Sequence, residues 1–222
     1  MLEVCASNLG SALAAEQAGA GRIELCSALS VGGLTPSYGL TQHVFTTTQL
    51  QVMVLIRPRE GNFVYTDREV QVMEQDIQAL RGVCSGFVFG ALTPQGDIDL
   101  AAMRRLMQAA QGMPVTFHRA FDRCRDPFTA LEQIIGLGCK RILTSGQQPS
   151  AAQGIDLLRE LRERAAGRII IMPGGGVTPG NAADILAGTG CTEIHASCSA
   201  GTSITDPAAV RQILAIFAEE KA

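Results

Sequence analysis

The sequence predicts an α/β fold, a single (β/α)8 TIM barrel spanning residues 1–222 as one domain. Three observations carry this. Eight short apolar runs alternate with longer stretches of helical spacing. Helix start and stop signals punctuate the intervals between them. The length of 222 residues lies near the usual ~250 of such barrels, with no linker or composition break.

The elements follow in order. The first strand is expected at Leu2–Cys5 and the second at Arg22–Cys26, with Gly19 and Gly21 ending the helix between them. Thr35-Pro36 has the form of a helix start and precedes the third strand, Val52–Arg57. Thr66-Asp67-Arg68-Glu69 has capping-box spacing and leads by a helix to the fourth strand, Gly86–Leu92. Gly112 ends the next helix before the fifth strand, Val115–Phe121. Asp126-Pro127 starts a helix that Gly138 stops, and the sixth strand follows at Arg141–Gly146. Gly167 precedes the seventh strand, Arg168–Met172, and Thr178-Pro179 again has the form of a helix start. The eighth strand is expected at Glu193–Cys198, with Asp206-Pro207 opening the last helix.

Composition narrows the function. The net charge of -3 contains no block of like charges, which argues against nucleic acid or an anionic membrane as partner. No basic n-region with an apolar h-region precedes Leu2, and no apolar run approaches bilayer length, so a cytoplasmic protein is expected. Seven cysteines without a C-x-x-C pair fit neither a disulfide framework nor a structural zinc site. Homo-oligomeric assembly is carried as an expectation on which no single residue bears.

Period-two alternation sorts the strand side chains. It turns Glu3, Cys5, Glu24, Cys26, Arg57, His118, His195 and Ser197 toward the barrel interior, where chemistry gathers at the carboxyl ends of the strands. Buried glutamates need partners, and Arg57 is the expected one for Glu3 and Glu24. Cys84, Cys139 and Cys191 precede strands and are expected to be packing residues; Cys124 and Cys198 are left as wall or loop residues. The segment "MPGGGVTPGN" places Gly174, Gly175 and Gly176 after strand seven, where backbone amides approach an anion easily.

Two chemistries fit this mouth. Adjacent strands lie about 4.8 Å apart, so thiols of Cys5 and Cys26 at matching heights, above the glutamates, suit a soft ion such as Cu(I). Two reduced thiols packed side by side, or an occasional disulfide, fit the same residues. A hard divalent metal on Glu3, Glu24 and a histidine is a further option. The other chemistry is an enzyme acting on a small anionic or phosphorylated metabolite. Arg57 and Arg59 would hold the anion beside Gly174–Gly176, with Glu3, Glu24, His118 and His195 supplying acid/base groups. A Schiff-base aldolase is excluded, because the only lysines are Lys140, at the entry of strand six, and Lys221, in the tail. No nucleophile elbow or H-E-x-x-H motif is present.

The segments "LEVCASN", "RIELCSAL", "GGLTPS", "IRPREGNFVYT", "TFHRAFD", "ILTSGQ", "PGGGV" and "EIHAS" occur in this order along the chain. Together they resemble the CutC family of copper homeostasis proteins. The resemblance implies a (β/α)8 barrel, a cytoplasmic location, a role in copper handling, and copper binding on the cysteines matching Cys5 and Cys26. Glu60 and Asn62 stand where family members usually carry glycine and aspartate, and "SCSAGTSITDP" is shorter than the usual loop after strand eight. All three departures fall at the expected mouth.

Overall fold

A computed structural model describes residues 1–199 and 204–219. Eight parallel strands alternate with eight helices: β1 (Leu2–Ala6), α1 (Leu9–Gln17), β2 (Arg22–Leu25), α2 (Tyr38–Thr47), β3 (Gln51–Leu55), α3 (Asp67–Leu80), β4 (Gly86–Phe89) and α4 (Leu100–Ala110) form the first half. The second half is β5 (Val115–Phe117), α5 (Pro127–Gly136), β6 (Arg141–Thr144), α6 (Ile155–Ala165), β7 (Ile170–Pro173), α7 (Ala182–Thr189), β8 (Ile194–Ala196) and α8 (Pro207–Glu219). The strands pair in the order β7-β6-β5-β4-β3-β2-β1-β8, and a parallel bridge between Gly174 and His195 joins the two ends. The fold is the expected (β/α)8 barrel.

Local chemistry explains most boundaries. The capping box at Thr66 forms in full, with its hydroxyl on the Glu69 amide and the Glu69 carboxylate on the Thr66 amide. Asp126 caps α5 with proline at its first position, and Asp206 accepts the Ala208 amide at the start of α8. In α3, Val70, Met73, Ile77 and Leu80 recur every three or four residues and are the buried face against the strands.

Two expected starts are displaced. Ser37, not Thr35, caps α2, because Thr35 bridges to the chain at Arg57 instead: its hydroxyl donates to the Arg57 carbonyl (3.2 Å) and accepts from the Arg57 amide (2.9 Å). Helix α7 begins at Ala182 after Asn181, whose side chain is drawn back to the Thr178 amide (2.8 Å). Lys140 is exposed at the foot of β6; Lys221 and part of the short loop after β8 lie outside the described residues.

The amino-terminal end of the barrel is closed by charge. Arg22, 1% exposed, donates to Glu3 (2.7 Å) and to Glu193, which also accepts from Arg141 (2.6 Å). This corrects the partner expected for Glu3: it is Arg22 rather than Arg57. Burial alone would push both carboxyls up, yet their arginine and histidine partners hold Glu3 and Glu193 below the usual range. Groups with lowered folded pKa values stabilise the fold above about 4.5, and that contribution is lost as pH falls through the folded values. Replacing Arg22 by alanine takes one cationic partner from each of two buried carboxylates, leaving Glu3 with His195 and Glu193 with Arg141. We expect a loss of about 3–5 kcal/mol in urea unfolding at neutral pH; a loss below about 1 kcal/mol would contradict a stabilising role.

Candidate metal and ligand site at the barrel mouth

A cavity of about 580 Å³ opens at the carboxyl ends of the strands. Cys5, Glu24, Cys26, Arg57, His118 and His195 line it, joined by Ser197, Gly175 and Gly176. Of the residues expected there, Glu3 lies beneath the cavity and is fully buried. Gly174 packs behind it, where an added Cβ would meet Leu143 at 2.4 Å and His195 at 3.2 Å. Arg59 points away, held by Glu69, by the Asn62 and Val64 carbonyls (2.9 and 2.7 Å) and by the Asn62 side chain (3.2 Å).

The thiols meet, but by a different register from the expected one. Glu3 pairs with Arg22 and Cys5 with Glu24, so β2 is offset by two residues against β1. Glu24 is thus level with Cys5 rather than one step below the thiols. Cys26 follows the end of β2, its amide on the Ala6 carbonyl (3.0 Å), and its sulfur reaches to 3.9 Å from that of Cys5. That separation is contact, not a disulfide, whose S–S bond is about 2.05 Å. Hydrogen bonding to Cys26 and burial push the Cys5 thiol well above its ordinary value. Gly33 allows the loop after β2 to close here: at φ +86°, a Cβ would lie 2.7 Å from Leu55 and 3.5 Å from Cys26.

His195 links the two glutamates. Its Nδ1 is 3.0 Å from Glu3 and its Nε2 is 3.3 Å from Glu24. Burial opposes the charge on His195, but the flanking carboxylates outweigh it and raise the imidazole above its usual value. Glu24 has no arginine and is pushed up by burial to about 7. One ligand atom each from Cys5, Glu24 and His195 lies within 4.8 Å of the others.

His118 behaves differently. It caps a 3-10 turn, its Nδ1 accepting the Ala120 amide (3.3 Å), and burial holds it down at about 3, with Arg57 adding to the shift. Gly90 makes room for it, since a Cβ there would stand 2.9 Å from Nδ1. Arg57 spends its terminal nitrogens on the Val31, Gly33 and Gly61 carbonyls at 2.9–3.0 Å. It does not pair with Glu24.

Other motif residues prove architectural. Asp122 of "TFHRAFD" accepts from Arg119 (2.7 Å), the Ser145 amide (3.0 Å) and the Thr144 hydroxyl, knotting the turn after β5 to "ILTSGQ". Glu60 and Asn62 do not line the cavity. Glu60 is exposed and does not adopt a positive φ, so glycine is not required there; Asn62 supplies a side-chain acceptor as an aspartate would. Cys84, Cys139 and Cys191 are buried, and burial pushes their thiols up, Cys84 to about 11 and Cys139 to about 12. Cys124 is buried against Gln147, whereas Cys198 reaches the cavity wall at φ +50°.

Barrel and site together define a (β/α)8 protein whose mouth combines a thiol pair, a carboxylate–imidazole chain and a separate cationic wall. Its relatives give it a family. A family model described as the CutC family matches residues 1–200. A CutC family protein of Parabacteroides distasonis is 53% identical over 199 residues, covering 89% of this chain and 82% of that one. The human copper homeostasis protein cutC homolog is 50% identical over 198 residues, covering 89% and 72%. The CutC structure from Streptococcus agalactiae superposes with a TM-score of 0.85 at 38% identity, over 89% of this chain and 98% of that one. The chain belongs to the CutC family. Phosphoribosyl anthranilate isomerase from Thermotoga maritima, at 12% identity and TM-score 0.62 over 98% of both chains, shares the barrel alone. No described helix is long and apolar enough to cross a membrane.

The raised Glu24 and His195 give a pH dependence whose sign is fixed. Both hold protons in the folded state that the unfolded chain releases, at about 4.5 for glutamate and 6.5 for histidine. Stability therefore falls as pH rises from about 4.5 through 7, by about 2–3 kcal/mol for Glu24. Glu24→Gln should flatten this slope in urea titrations. An unchanged slope would place the Glu24 pKa near that of a free carboxyl.

Proposed function

We propose that the protein is a cytoplasmic Cu(I)-binding member of the copper homeostasis family, a single barrel domain that takes the ion between Cys5 and Cys26. The observation that carries this reading is the pair of thiols 3.9 Å apart on the wall of an open cavity. Metal–thiolate bonds of about 2.3 Å put two sulfurs up to about 4.6 Å apart around one ion, so a small adjustment of the pair suffices. Soft thiolates select Cu(I) over hard cations. Ligation requires both thiols to lose their protons, which the raised Cys5 thiol surrenders only to a tightly held metal.

A three-ligand site of Cys5, Glu24 and His195 is the competing arrangement, and the carboxylates argue against it. His195 has a carboxylate at each ring nitrogen and is biased toward its protonated form, which has no lone pair for a metal. The two sulfurs instead face one another, free of any carboxylate hydrogen bond among the described residues. Copper is bound here as cargo, and the name of the human relative, copper homeostasis protein cutC homolog, supports that role.

Competition against a Cu(I) chelator such as bathocuproine disulfonate tests the assignment. Wild-type protein should withdraw one Cu(I) per chain, and the Cys5→Ser, Cys26→Ser double variant should withdraw none. His195→Gln should lose no more than the ~10–100-fold typical of a residue acting behind the ligands. Loss of Cu(I) by His195→Gln as complete as in the double variant would overturn the two-sulfur site.

A further inference from the structure

The stretch of cavity wall that follows β3 and β5 carries a second, unspent binding capacity. Arg57 is 6% exposed, and no described carboxylate lies within ion-pair distance of it. A buried guanidinium without a counter-charge is costly, even with its terminal nitrogens on backbone carbonyls. Its Nε–H has no hydrogen-bond partner, and neither has Nε2 of His118, itself 5% exposed. Because Nδ1 of His118 accepts the Ala120 amide, the ring proton sits on Nε2, so both orphaned atoms are donors. The Tyr65 hydroxyl stands near the guanidinium without completing a hydrogen bond to it.

One side chain unites the two donors. The Phe63 ring packs on both, its centroid 5.1 Å from the Arg57 guanidinium carbon and 4.8 Å from the His118 ring. Phe63 is only half-buried and lies in the loop between β3 and α3. Arg57, Phe63 and His118 all line the cavity. Two buried donors and one uncompensated positive charge beside a half-buried aromatic ring constitute the complement of a small anion with an exposed oxygen.

We propose that Arg57 and His118 form a binding site for a small organic carboxylate, whose oxygen takes the two unpaired N–H groups when Phe63 swings aside. The charge selects a carboxylate over a neutral carbonyl compound. The fixed, planar donors suit an sp² oxygen, and the aromatic ring suits a short carbon skeleton rather than a bare inorganic ion. This site shares no ligand with the thiol pair: it uses Arg57 and His118 and no sulfur.

Calorimetric titration with pyruvate as probe, and pyruvamide as its neutral counterpart, tests the site in the full-length protein. We expect one pyruvate per chain and at least tenfold weaker binding of pyruvamide. His118→Asn preserves the cap, since its side-chain oxygen replaces Nδ1, but removes the Nε2 donor; pyruvate should then bind about tenfold more weakly or worse. Circular dichroism and an unchanged unfolding midpoint establish that this variant is folded. The Cys5→Ser, Cys26→Ser variant should bind pyruvate as wild type does, so failure of the copper site leaves this reading standing. Pyruvate, lactate and acetate all failing to reach a Kd of about 1 mM, or equal affinity in wild type and His118→Asn, would overturn the proposal.

Discussion

The Glu3 carboxylate fixes much of what surrounds it. It is fully buried, with one oxygen on Arg22 and the other on His195, so a single group ties β1 to β2 on one side and to β8 on the other. Through Arg22 the chain of charge continues to Glu193 and Arg141, reaching β6 across the barrel floor. Through His195 it rises to Glu24 and the cavity. A buried carboxylate satisfied in this way resists any slip of register, because a two-residue shift of β2 would remove Arg22 and leave Glu3 with His195 alone. The same bond orients the imidazole, and so decides which of its atoms faces the mouth.

That constraint divides the mouth into two chemically distinct walls. At the ends of β1, β2 and β8, thiols, a protonation-prone carboxyl and a doubly bound histidine sit together, with Met53 and Leu55 of β3 and Val88 of β4 packed on the two cysteines. On the β3 and β5 side, a buried arginine and a neutral histidine flank an aromatic ring. The two histidines differ because of their neighbours. Burial opposes charge on His195, but the carboxyl groups on either side raise it above its usual value; His118, buried without an acid and near a guanidinium, is held down at about 3. Residues of one type thereby take opposite shifts within the same cavity.

Much of this was legible in the residues themselves. The eight apolar runs became the eight strands, and alternation correctly grouped Cys5, Glu24, Cys26, Arg57, His118 and His195 around one opening. What alternation cannot supply is the stagger between neighbouring strands, since closure of a barrel shifts register in a way no single strand records. Hence Cys5 faces Glu24 across the ladder. Arg22 was nonetheless available to the same rule, two residues before Glu24 on the inward face. A strand-initial arginine reads as a solvated end unless the floor beneath it is known to be closed. Thr35 shows a different ambiguity: a threonine before proline can cap a helix or bind a distant segment, and only the tertiary partner decides.

The division into walls also bears on why one barrel would keep both. A soft ion on the thiol pair and a carboxylate on the Arg57–His118 wall would share a cavity of about 580 Å³ without sharing ligands. Their interaction would be electrostatic, carried across the opening by the charge each brings. Two thiolates around Cu(I) leave a net negative charge beside Glu24, whereas a carboxylate neutralises the Arg57 guanidinium. Filling the cationic wall therefore withdraws positive potential from the thiolate site, and the two occupants disfavour one another. By linkage the penalty is mutual, so a carboxylate that loosens Cu(I) is itself loosened by Cu(I) to the same degree.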